Sequence, residues 1–384
     1  MTQHCQYDLP KRQNVELYLY ICPMETAKIG SYSDKAMLVT ASFMRFPLMM
    51  VVLLNHIYIK GVGVNGEAGI FAIGSYISSK IVGNMAVPCF FILSGYLLFR
   101  NIEYLSLRLY CDKLRRRART LLRPYLLWNL FVVLLYAIGQ TLLPELFSGA
   151  NTRIADYSPK EWLQAFWVVD GTMSPINPPL WYIRDLMVMI LFSPLVYILL
   201  RNRVIGGVFI TLLLALSAVN ISPIVWLQPR YIFFFSLGSW YGIHGAPQLQ
   251  FKVWIALLGM LLCGAGIAGF FMSGGAIRYA IYQATIIVGA LTLIYLSHYL
   301  ATTRGLRMPK MLDSSYFFIY LFHYIPLALI RKVLLLVVAP DTNTEYLMVY
   351  LGSFIAIVAL SIGTFVLMQR LMPKTTAFIL GNRV

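Results

Sequence analysis

The stretch RFPLMMVVLLNH, residues 45–56, lies in the first long apolar segment of the chain, with an arginine at one end and a histidine at the other. In an α-helix, Arg45 and His56 would point within roughly 20° of the same direction and lie roughly 16 Å apart along the axis. An arginine inside a membrane span costs at least ~2.5 kcal/mol, so such residues are rarely incidental. Two ionisable side chains on one stripe predict a shared polar cavity, and therefore a site.

The composition around this segment indicates a membrane protein. Of 384 residues, 59% are hydrophobic and only 12% are charged, and the mean hydropathy is +0.72. Soluble globular domains carry about 25% charged residues. The apolar runs are continuous rather than alternating, and each span must satisfy its own backbone hydrogen bonds, which favours helices over a β-barrel. We therefore predict an all-α, polytopic transmembrane helix bundle.

The apolar runs predict about ten spans, within a membrane domain covering residues 36–370. The spans are expected at approximately 37–59, 77–99, 121–142, 181–200, 204–220, 229–243, 253–272, 279–299, 316–338 and 346–368. Residues 1–35 are expected to be a cytoplasmic segment that is either disordered or upstream of the true start, for which Met24 is a candidate. Residues 371–384 are expected to be a cytoplasmic tail.

The net charge of +16 is distributed as a membrane topology requires, rather than as nucleic-acid binding would require. Basic residues gather in the loops after the second, fourth and eighth spans and at the C-terminus, so this side and both termini are predicted to be cytoplasmic. Arg331 and Lys332 fit poorly, because they fall inside the ninth expected span. The longest external loop, 143–180, is predicted to cover a site that opens outward. The five scattered cysteines suggest neither a metal site nor a disulfide framework.

Arg45 and His56 have two possible interpretations. In the structural one, they bond to neighbouring helices. In the functional one, a neutral imidazole removes a proton from a hydroxyl near pH 7, while the arginine orients or neutralises a substrate.

Two further motifs precede the fourth span. In the stretch FFILSGYLL, residues 90–98, the Ser–Gly pair indicates a close helix contact, and the alternative places the Ser94 hydroxyl in the cavity. The run KLRRRARTLLRPY, residues 113–125, indicates topology and attraction to anionic lipid. It equally suits the phosphates of a nucleotide-like donor, because arginine binds phosphate bidentately. The candidate phosphate ligands are Arg115, Arg116, Arg119 and Arg123.

Two later motifs supply the remaining candidates. In PLWYIRDL, residues 179–186, Trp181 is a candidate site residue or an interfacial anchor, and Arg184 and Asp185 are either site residues or a surface pair at the headgroups. In SSYFFIYLFH, residues 314–323, Tyr320 and His323 are candidates, although a hydrogen-bonded structural histidine is an equal alternative.

Taken together, these motifs resemble the acyltransferase 3 family of bacterial integral membrane proteins. The resemblance covers roughly residues 36–370 and rests on the order and spacing of the motifs. It implies transfer of an acyl group, most often acetyl from acetyl-CoA, to a hydroxyl of a lipopolysaccharide, capsule or other surface glycan. It also implies that the essential arginine and histidine are Arg45 and His56, and that the family's Arg-x-x-Arg element is Arg116 and Arg119.

The expected partners are therefore acyl-CoA, a glycan acceptor and membrane lipid, without nucleic acid or metal, in the bacterial inner membrane. The competing interpretation is a transporter or flippase of a glycan or lipid intermediate, which would need no acyl-CoA and would leave its substrate unchanged. A scaffold without enzymatic activity does not account for Arg45 and His56 on one stripe.

Overall fold

The computed structural model describes residues 32–59, 69–102, 104–142, 144, 152–218, 226–245, 253–268 and 275–383. The predicted N-terminal segment up to residue 31, including Met24, and the first part of the 143–180 loop lie largely outside them. Within the described residues all regular structure is helical. The helices that matter below are α1 Tyr32–Ile57, α2 Ile70–Phe99, α3 Leu107–Leu142, α4 Pro159–Ala165, α5 Trp181–Leu191, α6 Ser193–Leu200, α7 Arg203–Ala218, α8 Pro229–His244, α9 Val253–Ala268, α10 Ile277–Thr303, α11 Lys310–Phe322, α12 Tyr324–Val338, α13 Asn343–Leu371 and α14 Pro373–Ile379.

The all-α fold is confirmed, but the count of about ten spans is not. Five described helices are long and apolar enough to cross a membrane, namely α2, α3, α10, α13 and most of α1. The count rises to seven if the bent pairs α5–α6 and α11–α12 each form one span. The helices α7, α8 and α9 each have only 16 residues. A span needs about 20 residues on average. The apolar composition of these segments therefore predicted more spans than their described helix lengths support.

Two predicted continuous spans are broken by bends. The expected span 181–200 bends by 61° between α5 and α6, and the expected span 316–338 bends by 75° between α11 and α12. A proline follows each break, Pro194 and Pro326. Proline lacks a backbone N–H, and its ring crowds the carbonyl four residues earlier, so it weakens the turn before it.

The structure places the basic run 113–125 on a helix, whereas the sequence predicted most of it in the loop after the second span. The helix α3 begins at Leu107, well before the predicted span at 121, and passes through a wide π-helical turn at Ala118–Leu122. Ser106 caps its start, where its side chain accepts a hydrogen bond from the Leu109 N–H. The basic side chains are therefore held at fixed angles around a helix that continues into the apolar bundle.

The helix α1 is central, with α2, α10, α11 and α13 packed around it. The most extensive pairing lies between α2 and α8, where glycines allow the backbones to touch. A Cβ at Gly95 would overlap the carbonyl oxygen of Phe235, and a Cβ at Gly238 would overlap that of Ile92. The Ser–Gly pair at 94–95 therefore does provide the close helix contact that its sequence suggests.

Candidate active site

Arg45 and His56 both face α11 and the bend that follows it, as expected for two residues on one side of α1. The helix α1 continues through Pro47 without a break, and both side chains are partly buried. The Arg45 guanidinium lies 5.7 Å from the centre of the Tyr316 ring on α11. The His56 ring lies 5.0 Å from that of His323, at the α11–α12 bend. We call the surroundings of His56 and His323 the histidine end, and the surroundings of Arg45 and Tyr316 the arginine end.

The histidine end is built on the break after α11. His323 is fully buried, and its Nδ1 lies 2.9 Å from the Ile319 carbonyl oxygen and 3.0 Å from that of Tyr320. Because a carbonyl oxygen only accepts, Nδ1 carries the hydrogen, and Nε2 of the neutral ring holds the lone pair. Nε2 is buried and has no hydrogen-bond partner within the described part of the chain. His323 is therefore hydrogen-bonded and still presents a basic nitrogen to the interior, next to His56.

Two cations surround the same end, and neither was among the predicted site residues. Arg331 donates to the backbone carbonyls of His56 and Tyr58, at 3.3 Å each. The bend after α11 thus directs Arg331, which fitted the expected ninth span poorly, toward α1. Lys80 of α2 donates to the Asn55 side chain at 3.3 Å and lies 4.6 Å from the centre of the Tyr58 ring. The sequence did carry a signal for Lys80, since it is the one lysine within the second expected span, 77–99.

The arginine end contains a residue from the far end of the chain. Arg383 lies with its guanidinium 3.9 Å from the centre of the Phe317 ring and interacts with the Tyr316 side chain. It is close enough to Arg45 for the two charges to interact. The predicted C-terminal tail at 371–384 therefore forms α14 and then enters the bundle beside the arginine of the site.

The Ser94 hydroxyl faces the interior, 3.2 Å from the hydroxyl of Tyr182. The Tyr182 ring contacts that of Tyr320, whose own hydroxyl donates to the Pro179 carbonyl. The Trp181 ring is only partly buried and lies 4.8 Å from that of Tyr231 on α8, tilted by 39°. These candidates form one aromatic wall beside the arginine end, and Tyr320 has a structural partner.

The four predicted phosphate ligands do not share one environment. Arg115, Arg116 and Arg119 are exposed, and Arg115 pairs with Asp112 at 3.6 Å on the surface. Arg123 is partly buried, with its guanidinium 4.6 Å from the centre of a phenylalanine ring of α14. Of these four side chains, the structure therefore shows only that of Arg123 against a ring of the C-terminal segment.

Arg184 and Asp185 are not a surface pair, which corrects that alternative. Both side chains are fully buried, with 2.8 Å between Nη2 and Oδ1. Arg184 also donates to the Trp167 carbonyl at 2.7 Å, which ties the 152–180 segment to the bundle. Asp185 Oδ2 lacks a hydrogen-bond partner among the described residues. The chain enters the bundle before α5, and the pair is therefore buried. The aromatic residues Trp181 and Tyr182 before it had suggested a position at the membrane interface.

The described residues contain no group of three metal-ligating side chains. One groove of about 170 Å³ runs between α3 and the α11–α12 bend, with apolar side chains and one buried asparagine. It lies beside the histidine end, but neither histidine lines it.

Comparison with known proteins places the chain in a family. A family model described as an acyltransferase domain matches residues 42–366, which include both ends of the stripe. The succinoglycan biosynthesis protein ExoH of Rhizobium meliloti (strain 1021) is 31% identical over 367 residues, covering 88% of this chain and 92% of the relative. No solved structure matches the chain. Its apolar helices make it a membrane protein, and the family match shows that the chain belongs to the acyltransferase 3 family.

Proposed function

We propose that this protein is a membrane O-acyltransferase that transfers an acyl group, acetyl in the simplest case, from acyl-CoA to a hydroxyl of a polysaccharide or lipopolysaccharide sugar. The family membership supports acyl transfer. The name of the relative connects that protein with the biosynthesis of succinoglycan, which supports a polysaccharide acceptor here.

The observation that carries the proposal is the length of the stripe on α1. Arg45 and His56 are separated along the helix by roughly 16 Å. The chain of atoms from the phosphate oxygen to the sulfur of coenzyme A equals about four extended residues, and at ~3.5 Å per residue it spans roughly 14 Å. A donor whose phosphates are held at the arginine end therefore delivers its thioester to the histidine end. Arg45 is too far from His56 to stabilise an oxyanion formed there, so we assign it to donor binding.

The reaction at the histidine end follows from its two imidazoles. His56 removes the proton of the acceptor hydroxyl as its oxygen attacks the thioester carbonyl. The tetrahedral intermediate collapses by breaking the carbon–sulfur bond, and the thiolate takes the proton back from His56. Lys80 and Arg331 both act electrostatically on His56, so their charges favour the negative oxygen of the intermediate. His323 presents its lone pair on Nε2 to the same space and orients or replaces His56 as the base.

The proposed orientation places the arginine end toward the cytoplasm, where acyl-CoA is made, in the inner membrane of a bacterium. The exposed Arg115, Arg116 and Arg119 then attract the donor at the membrane surface, and Arg123 lies closer to the bundle. The acceptor reaches the histidine end from the other side, below the segment that Arg184 holds in place. Both termini are cytoplasmic in this arrangement.

A transporter or flippase remains the alternative from another class. Its buried charges would bind a glycan or lipid intermediate, but it would consume no acyl-CoA. Two imidazole rings whose centres lie 5.0 Å apart favour proton transfer, which transport of an uncharged glycan does not need.

The test is His56→Ala in the full chain, with transfer of labelled acyl groups from acyl-CoA to surface polysaccharide as the measurement. We expect kcat to fall by about 10²- to 10⁴-fold, which is the usual contribution of general base catalysis, at unchanged abundance in the membrane. His244→Gln is the matched control, because His244 bonds the Leu200 carbonyl at the end of α8, outside the site. Full activity of His56→Ala would refute the assignment of the base. Wild-type protein without acyl transfer to any glycan would refute the function.

A further inference from the structure

The C-terminal segment Pro373–Arg383 is packed into the bundle in a defined conformation. Thr376 and Leu380 are fully buried, and the Thr376 hydroxyl donates to the Met368 carbonyl at 3.0 Å. Gly381 adopts φ +70°, which favours glycine, and a Cβ there would lie 2.8 Å from the Arg119 carbonyl oxygen. The segment thus runs from the end of α13 across the basic helix α3 to the site, and Gly381 permits the crossing.

This path delivers a guanidinium to the arginine end. Arg383 lies over the Phe317 ring and interacts electrostatically with Tyr316, Arg45 and Tyr182. Within the described part of the chain, neither Arg45 nor Arg383 has a carboxylate within ion-pairing distance. Two cations brought together without a counter-charge repel each other, unless an anion lies between them.

We propose that Arg383 is a ligand of the acyl donor, and that Arg383 and Arg45 together bind its phosphate groups. This inference rests on the proposed function and deepens it by assigning a donor-binding residue outside the matched region 42–366. Guanidinium groups bind phosphate bidentately, and the aromatic faces of Phe317 and Tyr316 hold the two forks in place. The aromatic hydroxyls at this end, Tyr182 and Tyr316, supply further donors to the same anion.

The same chemistry would suit the phosphate of an anionic lipid, so the experiment separates the two sources. The full-length protein is purified in nanodiscs of phosphatidylcholine alone or with phosphatidylglycerol. Binding of coenzyme A and the steady-state constants for acyl-CoA and acceptor are measured for the wild type, Arg383→Ala, Arg383→Lys and Arg370→Ala. Arg370 is the matched control, since it is an exposed arginine at the end of α13.

We expect Arg383→Ala to weaken coenzyme A binding, and to raise KM for acyl-CoA, by about tenfold in both kinds of nanodisc. The acceptor KM should stay at its wild-type value, Arg383→Lys should recover part of the loss, and Arg370→Ala should bind like the wild type. Gly381→Val should reproduce the loss without removing any charge, because it displaces the segment that carries Arg383.

Wild-type affinity for coenzyme A in a folded Arg383→Ala protein would overturn the inference. The inference would also be overturned if Arg383→Ala changed only the thermal stability of the protein in nanodiscs with phosphatidylglycerol. The phosphate held by Arg383 would then belong to a lipid. Neither result bears on the proposed function, which the His56→Ala assay of acyl transfer tests separately. If the wild type itself binds no coenzyme A and transfers no acyl group, the proposed function fails as well.

Discussion

The histidine end and the arginine end lie on one stripe of α1, yet they are built differently. At the histidine end, the helix breaks at His323, the carbonyls of Ile319 and Tyr320 fix the tautomer of its ring, and two imidazoles lie 5.0 Å apart. At the arginine end, guanidinium groups lie against the rings of intact α11. Imidazoles exchange protons near neutral pH, whereas arginines stay charged. This difference supports the proposal that one end performs the reaction and the other holds the donor.

The largest expected effect comes from removing the second imidazole. We expect His323→Ala to lower kcat by about 10²-fold or more, because it removes either a base or the group that orients it. The double variant His56→Ala/His323→Ala should be no slower than His56→Ala alone, since residues that act as a unit are not additive. Tyr324→Phe, which keeps the ring that contacts His56, is the control. Losses that multiply would show that the histidines act independently.

A smaller effect, of a different kind, is expected at the arginine end. Arg45→Ala should raise KM for acyl-CoA by about 10- to 100-fold, as the loss of a charge-assisted hydrogen bond would, and leave kcat within a few-fold. Arg45→Lys should recover part of the binding. If kcat fell instead while KM held, Arg45 would act in the transition state, and the division between the two ends would be wrong.

The smallest effect is expected on the exposed side of α3. Arg115→Ala/Arg116→Ala should reduce kcat/KM for acyl-CoA by roughly twofold at low ionic strength and by less at higher salt, because exposed charges are screened. Steady-state kinetics over a salt series measure this. A large loss that persists in salt would show that these side chains bind phosphate directly, as the sequence alone suggested.

The all-helical fold and the stripe on α1 could be predicted from sequence because both are local. Continuous apolar runs can satisfy the backbone only as helices, and the spacing of Arg45 and His56 fixes their common face. The break at His323 was missed because residues 316–330 form one mostly apolar run without Lys, Arg, Asp or Glu, which a single span would also show. Pro326 was a signal, but Pro47 and Pro88 lie within unbroken helices, so proline alone does not decide the matter.

The arrival of Arg383 could not be predicted, because it depends on packing between distant segments. Nothing near residue 383 in the sequence indicates a site, and the contact with Phe317 joins residues that are far apart in the chain. The sequence left the burial of Arg184 and Asp185 undecided for a similar reason. Their neighbours look interfacial, and only the re-entry of the chain before α5 places them inside.

The glycine contact between α2 and α8 limits which helices of this protein can move relative to one another. With Gly95 and Gly238 each facing a backbone carbonyl of the other helix, sliding or rolling of the pair would drive backbone into backbone. These two helices therefore behave as a rigid frame on one flank of α1. Any widening that admits a bulky sugar has to come from the other flank, where the hinge between α11 and α12 already interrupts the helical hydrogen bonds.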